Sequence, residues 1–205
     1  WAKGYSADAY HLEAEGCKIV MNDNGTYTLS NIAENAMITA VPNTFKITYD
    51  LAGGKLSTAN PEEYTFETED ITLVNPEREG YTFKGWISAE SSEPETSATI
   101  KKGSTGNRIY TAQWEAKIYS ITYDLNGGTL TEEVNPKEYT VETEDFTLVN
   151  PKKVGYVFKG WVSTESEEAE DTVTIKKGST GNRAYTAQWE VAKYNITYDL
   201  NGATD

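Results

Sequence analysis

The chain has 205 residues, is 38% hydrophobic, and carries 14 Tyr, 5 Trp and 5 Phe, so aromatic rings supply much of its buriable apolar area. A formal net charge of −14 repels phosphate backbones and anionic headgroups, which excludes nucleic acid and membrane surfaces as natural partners. Cys17 is the only cysteine, which rules out an intrachain disulfide and a thiolate-based metal site, and no run approaches the roughly 20 apolar residues of a membrane helix.

Taken in order, the chain opens at Trp1 with no basic-then-apolar leader, the mark of a fragment of something longer. Cys17 to Met21, the turn residues Asn22-Asp23-Asn24-Gly25, and Thr26 to Leu29 spell a β-hairpin, and Ala36 to Val41 spells a further strand. Residues 1–43 therefore read as a small β module or the tail of a preceding domain, with Pro42-Asn43 as the joint. Phe45, Ile47, Tyr49 and Leu51 then alternate with polar residues, the period-2 pattern of a half-buried strand. Tyr64 to Phe66, Tyr81 to Ile87 and Tyr110 to Trp114 alternate in the same way, and Asn75-Pro76 breaks the chain between them. A short helical turn near Pro61-Glu62-Glu63 or Glu67 to Asp70 is compatible with the pattern. Thr and Tyr enrichment favours strands throughout.

The main feature is a repeat. Trp86 and Trp161 are 75 positions apart, as are Trp114 and Trp189, and Ile100 to Arg108 returns unchanged as Ile175 to Arg183. A third start appears at Tyr194 to Gly202. Such a unit is too long for a solenoid element and long enough for a bead with its own core. The expected division is residues 44–117 and 118–192 as two repeats. Residues 193–205 are the truncated start of a third, or the last strand of the second. The copies differ most at Ala89 to Ala98 against Thr164 to Val173, where the second is a run of acid (Glu165, Glu167, Glu168, Glu170, Asp171), as in an exposed loop tolerant of change.

Tyr-x-Ile-Thr-Tyr-Asp-Leu-Asn-Gly-Gly, Asn-Pro, Gly-Tyr-x-Phe-Lys-Gly-Trp and Tyr-Thr-Ala-Gln-Trp together resemble the Listeria–Bacteroides repeat, also called the internalin B-repeat, over residues 45 to 202. The resemblance implies tandem, compact β-grasp-like domains on the bacterial cell surface or in secreted modular proteins. With the strand pattern, the expected fold class is mainly β, α+β at most.

Candidate chemistry is sparse. His11 is the only histidine and lies outside both repeats, so it reads as structural or surface. Glu67, Glu69 and Asp70 recur as Glu142, Glu144 and Asp145, the best acid/base candidates, yet a small bead has little room for a cleft. Asn22 to Gly25 has oxygen ligands suited to calcium, but a hairpin turn accounts for it. Lys101, Lys102 and Arg108, with their copies Lys176, Lys177 and Arg183, could hold an anion or pair with the acidic loop of the same or the next repeat; the Gly-rich segment itself reads as a turn. Trp86 and Trp161 alternate out of phase with Tyr81 and Phe83, which makes them the candidates for an exposed adhesion surface. Lys84 and Lys159 raise the prospect of a lysine–asparagine isopeptide crosslink, for which the sequence identifies no buried acid.

The reading is a non-enzymatic, monomeric spacer or stalk outside the cell, with no cofactor or metal. The alternative is a multivalent adhesin for a host protein or glycan, and a hydrolase fragment stands third.

Overall fold

The computed structural model describes residues 7–131, 134–164, 166, 168–199 and 201; Glu165 and Glu167 of the acidic run, and Leu200 and Gly202 of the third start, lie outside them. The chain divides into two compact units, Trp1–Glu115 and Ala116–Asp205.

The first unit begins with four strands, β1 (Tyr10–Glu15), β2 (Lys18–Met21), β3 (Tyr27–Ser30) and β4 (Met37–Pro42). β2 and β3 form the expected hairpin, closed where Gly25 donates to the Asn22 carbonyl and Asn22 to that of Thr26. β1 adds a strand to the three that the sequence pattern marks in this module. Its Tyr10, Leu12 and Ala14 alternate with His11, Glu13 and Glu15, and it pairs antiparallel with β4 from Tyr10↔Pro42 to Glu15↔Met37. This module leaves Val20, Met21, Ile32, Met37 and Ile38 exposed and buries Ala9 and Tyr10. Tyr10 reaches the following repeat: its ring lies 5.9 Å from that of Phe66 and its hydroxyl donates to Glu67 at 2.9 Å.

The first repeat contains β5 (Thr44–Asp50), β6 (Glu63–Thr65), β7 (Ile71–Thr72), β8 (Tyr81–Ile87), β9 (Thr99–Ile100) and β10 (Arg108–Ala116). Four of these make one sheet in the order β6-β5-β10-β8, while β7 pairs with β9. First and last strands run parallel, with Ile47 opposite Arg108 and Asp50 opposite Thr111. Ile71, Leu73, Ala98 and Ile100 bring the small β7–β9 pair onto the sheet, where Ile47, Tyr64, Trp86, Tyr110 and Ala112 complete the core. Each of the large apolar side chains among them contributes roughly 1.5–3 kcal/mol on burial. The stretch Pro61 to Asp70 holds strand and turn, with no helix.

The second unit repeats the plan with β11 (Tyr119–Asp124), β12 (Glu138–Tyr139), β13 (Phe146–Thr147), β14 (Tyr156–Ser163), β15 (Thr174–Ile175) and β16 (Arg183–Val191). Its sheet order is β12-β11-β16-β14, β11 and β16 are again parallel, and Ile121, Tyr139, Leu148, Trp161, Val173, Ile175, Tyr185 and Ala187 form its own core. Beyond β16, Tyr194, Ile196 and Tyr198 are exposed, and residues 192–199 form no strand. The fold is thus mainly β, without helix among the described residues.

One buried amide recurs in both repeats. Asn60 donates to the Val74 carbonyl at 3.0 Å and accepts from the Val74 N–H at 2.7 Å; Asn135 does the same with Val149 at 3.0 and 2.7 Å.

Candidate functional site

The tryptophans proposed for an exposed surface are, among the described residues, the most deeply buried large side chains. Trp86 and Trp161 are each 1% exposed. A β-bulge explains the correction: in β14 the pairing with β16 slips between Phe158 and Gly160, adding one residue and turning Trp161 onto the face of Phe158. Gly160 has φ 129°, and a Cβ there would stand 2.7 Å from the Glu170 carbonyl carbon. Gly85 has φ 137° and equally little room beside Pro94 and Glu95. Each indole N–H is satisfied inside the repeat, Trp86 donating to Asn75 at 3.1 Å and Trp161 to Asn150 at 3.0 Å. Around Trp86 the rings of Tyr49, Phe83 and Tyr110 lie 5.6 to 6.2 Å away, mostly edge-on, an arrangement aromatic quadrupoles favour.

The basic and acidic candidates meet each other. Lys101 pairs with Asp70 at 2.8 Å and Lys102 with Glu69 at 2.5 Å, while the Lys102 backbone N–H donates to Asp70 at 2.9 Å. The second repeat reproduces this with Lys176 on Asp145, Lys177 on Glu144 and the Lys177 N–H on Asp145. The lysine side chains' bonds, followed by the backbone ones, hold both aspartates below the usual carboxylate range, and the Glu69 hydrogen bond raises Lys102. All four paired carboxylates lie exposed on the surface of their repeat, each against a lysine, rather than converging in a cleft. Glu67, the third of the set, accepts from Tyr10.

Arg108 pairs with Glu90 of the variable loop and its Nε donates to the Tyr64 hydroxyl at 3.2 Å. Arg183 donates likewise to Tyr139 at 3.1 Å. All six basic candidates are therefore engaged within their own repeats.

The remaining candidates also meet partners within the chain. Lys84 meets Glu115 at 3.0 Å and Lys159 meets Glu190 at 3.4 Å, both on the surface, where a glutamate rather than an asparagine faces each amine. Asn24 accepts from the N–H and hydroxyl of Thr26, and Asn22 donates to Thr26 and Thr28, so this oxygen-rich turn bonds to itself. His11 contacts Asn43 at 2.8 Å and Glu13 at 3.4 Å. Among the described residues no three His, Cys, Asp or Glu side chains gather as a metal site would require. An open groove of about 520 Å³ beside β5 is lined by Tyr49, Leu56, Asn60 and Glu62, among others.

The pattern hidden from sequence lies between the first and last strands. Tyr49 and Tyr110 are direct partners across the β5–β10 ladder and stack at 6.2 Å with an 18° tilt; Tyr123 and Tyr185 match them at 6.2 Å and 20°. Burial pushes the Tyr49 hydroxyl up to about 12, and raises Tyr110 and Tyr123 as well.

Residues 45–113 and 119–188 each match the Listeria-Bacteroides repeat domain. Among curated relatives, a provisionally named Gly-rich membrane protein of Evansella cellulosilytica is 28% identical over 98% of this chain. Internalin H of Listeria monocytogenes is 28% identical over 82% of it. The aligned region spans only 22% and 34% of those two relatives. No solved structure matches, so the β-grasp detail rests on the resemblance alone. With two tandem copies covering well over half its length, the chain belongs to the Listeria-Bacteroides repeat family.

Proposed function

We propose that this region is a spacer of a bacterial surface protein, a string of β beads that holds other parts of a longer chain away from the cell wall. The carrying observation is that each repeat spends its chemistry on itself: the Trp86 and Trp161 clusters are enclosed in separate cores, and the recurrent Lys–Asp and Lys–Glu pairs join segments of one repeat. A bead so arranged needs only a polar exterior, and the net charge of −14 keeps such exteriors soluble and apart. Relatives named as an internalin and as membrane proteins support a place at the cell surface.

The test is length exchange in the full surface protein. Replacing both repeats with an unrelated two-domain stalk of equal length should preserve antibody access to the distal region, and deleting them without replacement should reduce it. Saturable binding of the isolated 205-residue chain to host cells or a glycan array, lost on altering one repeated surface patch, would overturn the spacer in favour of adhesion.

A further inference from the structure

We infer that each repeat is a mechanical clamp, built so that tension along the stalk loads the parallel ladder of its first and last strands in shear; this rests on the spacer reading. The chain enters the first repeat at the start of β5 and leaves at the end of β10. Because these strands are parallel and adjacent, pulling on the two ends drives β5 and β10 in opposite directions along their shared axis. The rungs from Ile47↔Arg108 to Asp50↔Thr111 then carry the load together, and none can open before its neighbours. β11 and β16 present the same arrangement from Ile121↔Arg183 to Asp124↔Thr186.

Side chains lengthen the ladder at both ends. The Lys46 N–H donates to Asn107 Oδ1 at 2.9 Å, and the Ser120 N–H to Asn182 Oδ1 at 2.9 Å, each adding a rung before the backbone pairing begins. Beyond the last rung, Trp114 Nε1 donates to the Leu51 carbonyl and Trp189 Nε1 to that of Leu125, both at 3.1 Å. Between them the stacked Tyr49–Tyr110 and Tyr123–Tyr185 pairs must slide apart for either ladder to move. The Gly-Ser-Thr-Gly-Asn-Arg segments, identical in the two copies, thus fasten β10 to β5 and β16 to β11 rather than gripping an anion.

The amino-terminal module supplies a built-in contrast. Its β1 and β4 are antiparallel and Tyr10 stands opposite Pro42, so tension enters and leaves at the same end and peels the rungs one at a time.

The experiment stretches the full 205-residue chain by its two ends in a force spectrometer. Expected are one short, low-force extension from the amino-terminal module and two long events at clearly higher force. Each long event frees about 70 residues, or roughly 230–250 Å of contour length. Asn107→Ala should make one long event about fivefold faster at a given load, the effect of one lost hydrogen bond, and leave the other unchanged. Thr72→Ala, which removes the Thr72–Thr99 hydroxyl bond of the separate β7–β9 pair, should lower the denaturant midpoint of the first repeat without changing its rate under load. Long events at or below the force of the short one would overturn the clamp, as would equal effects of Asn107→Ala and Thr72→Ala under load. If the Asn107→Ala repeat does not fold, one long event is missing and the wild-type ranking of long against short events decides. A low-force result leaves the spacer reading standing, because length exchange tests that separately.

Discussion

Phe83 and Trp86 stand three positions apart in one strand yet face the same core, their ring centroids 5.6 Å apart. Strict alternation would send them to opposite faces. The glycine between them absorbs the extra residue, with φ 137° at Gly85 and backbone atoms of Pro94 and Glu95 2.6 Å from where a Cβ would sit. Gly85→Ala should therefore cost the first repeat about 3 kcal/mol, combining strain with a displaced loop. Gly25→Ala, at φ 77° with nothing within 4 Å, should cost about 1 kcal/mol. Denaturant titration of both variants checks this, and equal small losses would remove the bulge from the account.

The turn after the first strand of each repeat offers a gain instead. Ala52 has φ 46°, where the equivalent Asn126 has φ 47°. A left-handed alanine is strained, whereas asparagine and glycine tolerate that region. Ala52→Asn or Ala52→Gly should stabilise the first repeat by about 0.5–1 kcal/mol, read as a higher midpoint for its transition alone.

Acid should loosen both repeats through the same pair of residues. Asp70 and Asp145 have folded pKa values below the ordinary 3.8, chiefly through the Lys101 and Lys176 side chains. A depressed carboxylate contributes stability that is present above its unfolded pKa and lost as pH falls through the folded one. Stability should accordingly decline below about pH 4. In the doubly substituted Asp70→Asn, Asp145→Asn chain the midpoint should be lower at neutral pH and flatter between pH 5 and 2.5. An unchanged acid slope would sink the assignment.

Alkali acts at the clamp. Tyr49 is raised to about 12, mainly by burial and secondarily by Tyr110 and Glu62. The unfolded chain ionises this hydroxyl near pH 10 and the folded one does not, so its contribution is intact below pH 10 and disappears between about 10 and 12. Tyrosinate absorbance should rise in two stages, exposed rings first, with the second stage coinciding with loss of the folded signal. One smooth rise centred at 10 would contradict buried ladder tyrosines.

Much of this was legible in the residues. The hairpin around Gly25 and the strands beginning near Phe45, Tyr81 and Tyr110 follow from alternation and turn chemistry, and the repeat follows from identity at fixed spacing. Trp86 was misplaced because a bulge shifts parity without changing composition; the glycine beside it was the available signal. The pairing of Lys101 with Asp70 joins residues 31 positions apart, and only its recurrence as Lys176 and Asp145 hinted at it. The β5–β10 contact could not be read at all, since side-chain alternation identifies a strand but says nothing of which distant strand lies beside it, or in which direction.

The amide of Asn60 has a consequence for how conservative a change can be. By presenting both an acceptor and a donor to Val74 from a site that is 6% exposed, it mimics a stretch of peptide backbone. Aspartate has the same shape but offers oxygen where the nitrogen stood, so two acceptors would confront each other out of reach of water. At this position, and at Asn135, an atom-for-atom replacement of equal volume is more disruptive than its size suggests, and slow hydrolysis of the amide would act on the bead as a point mutation does.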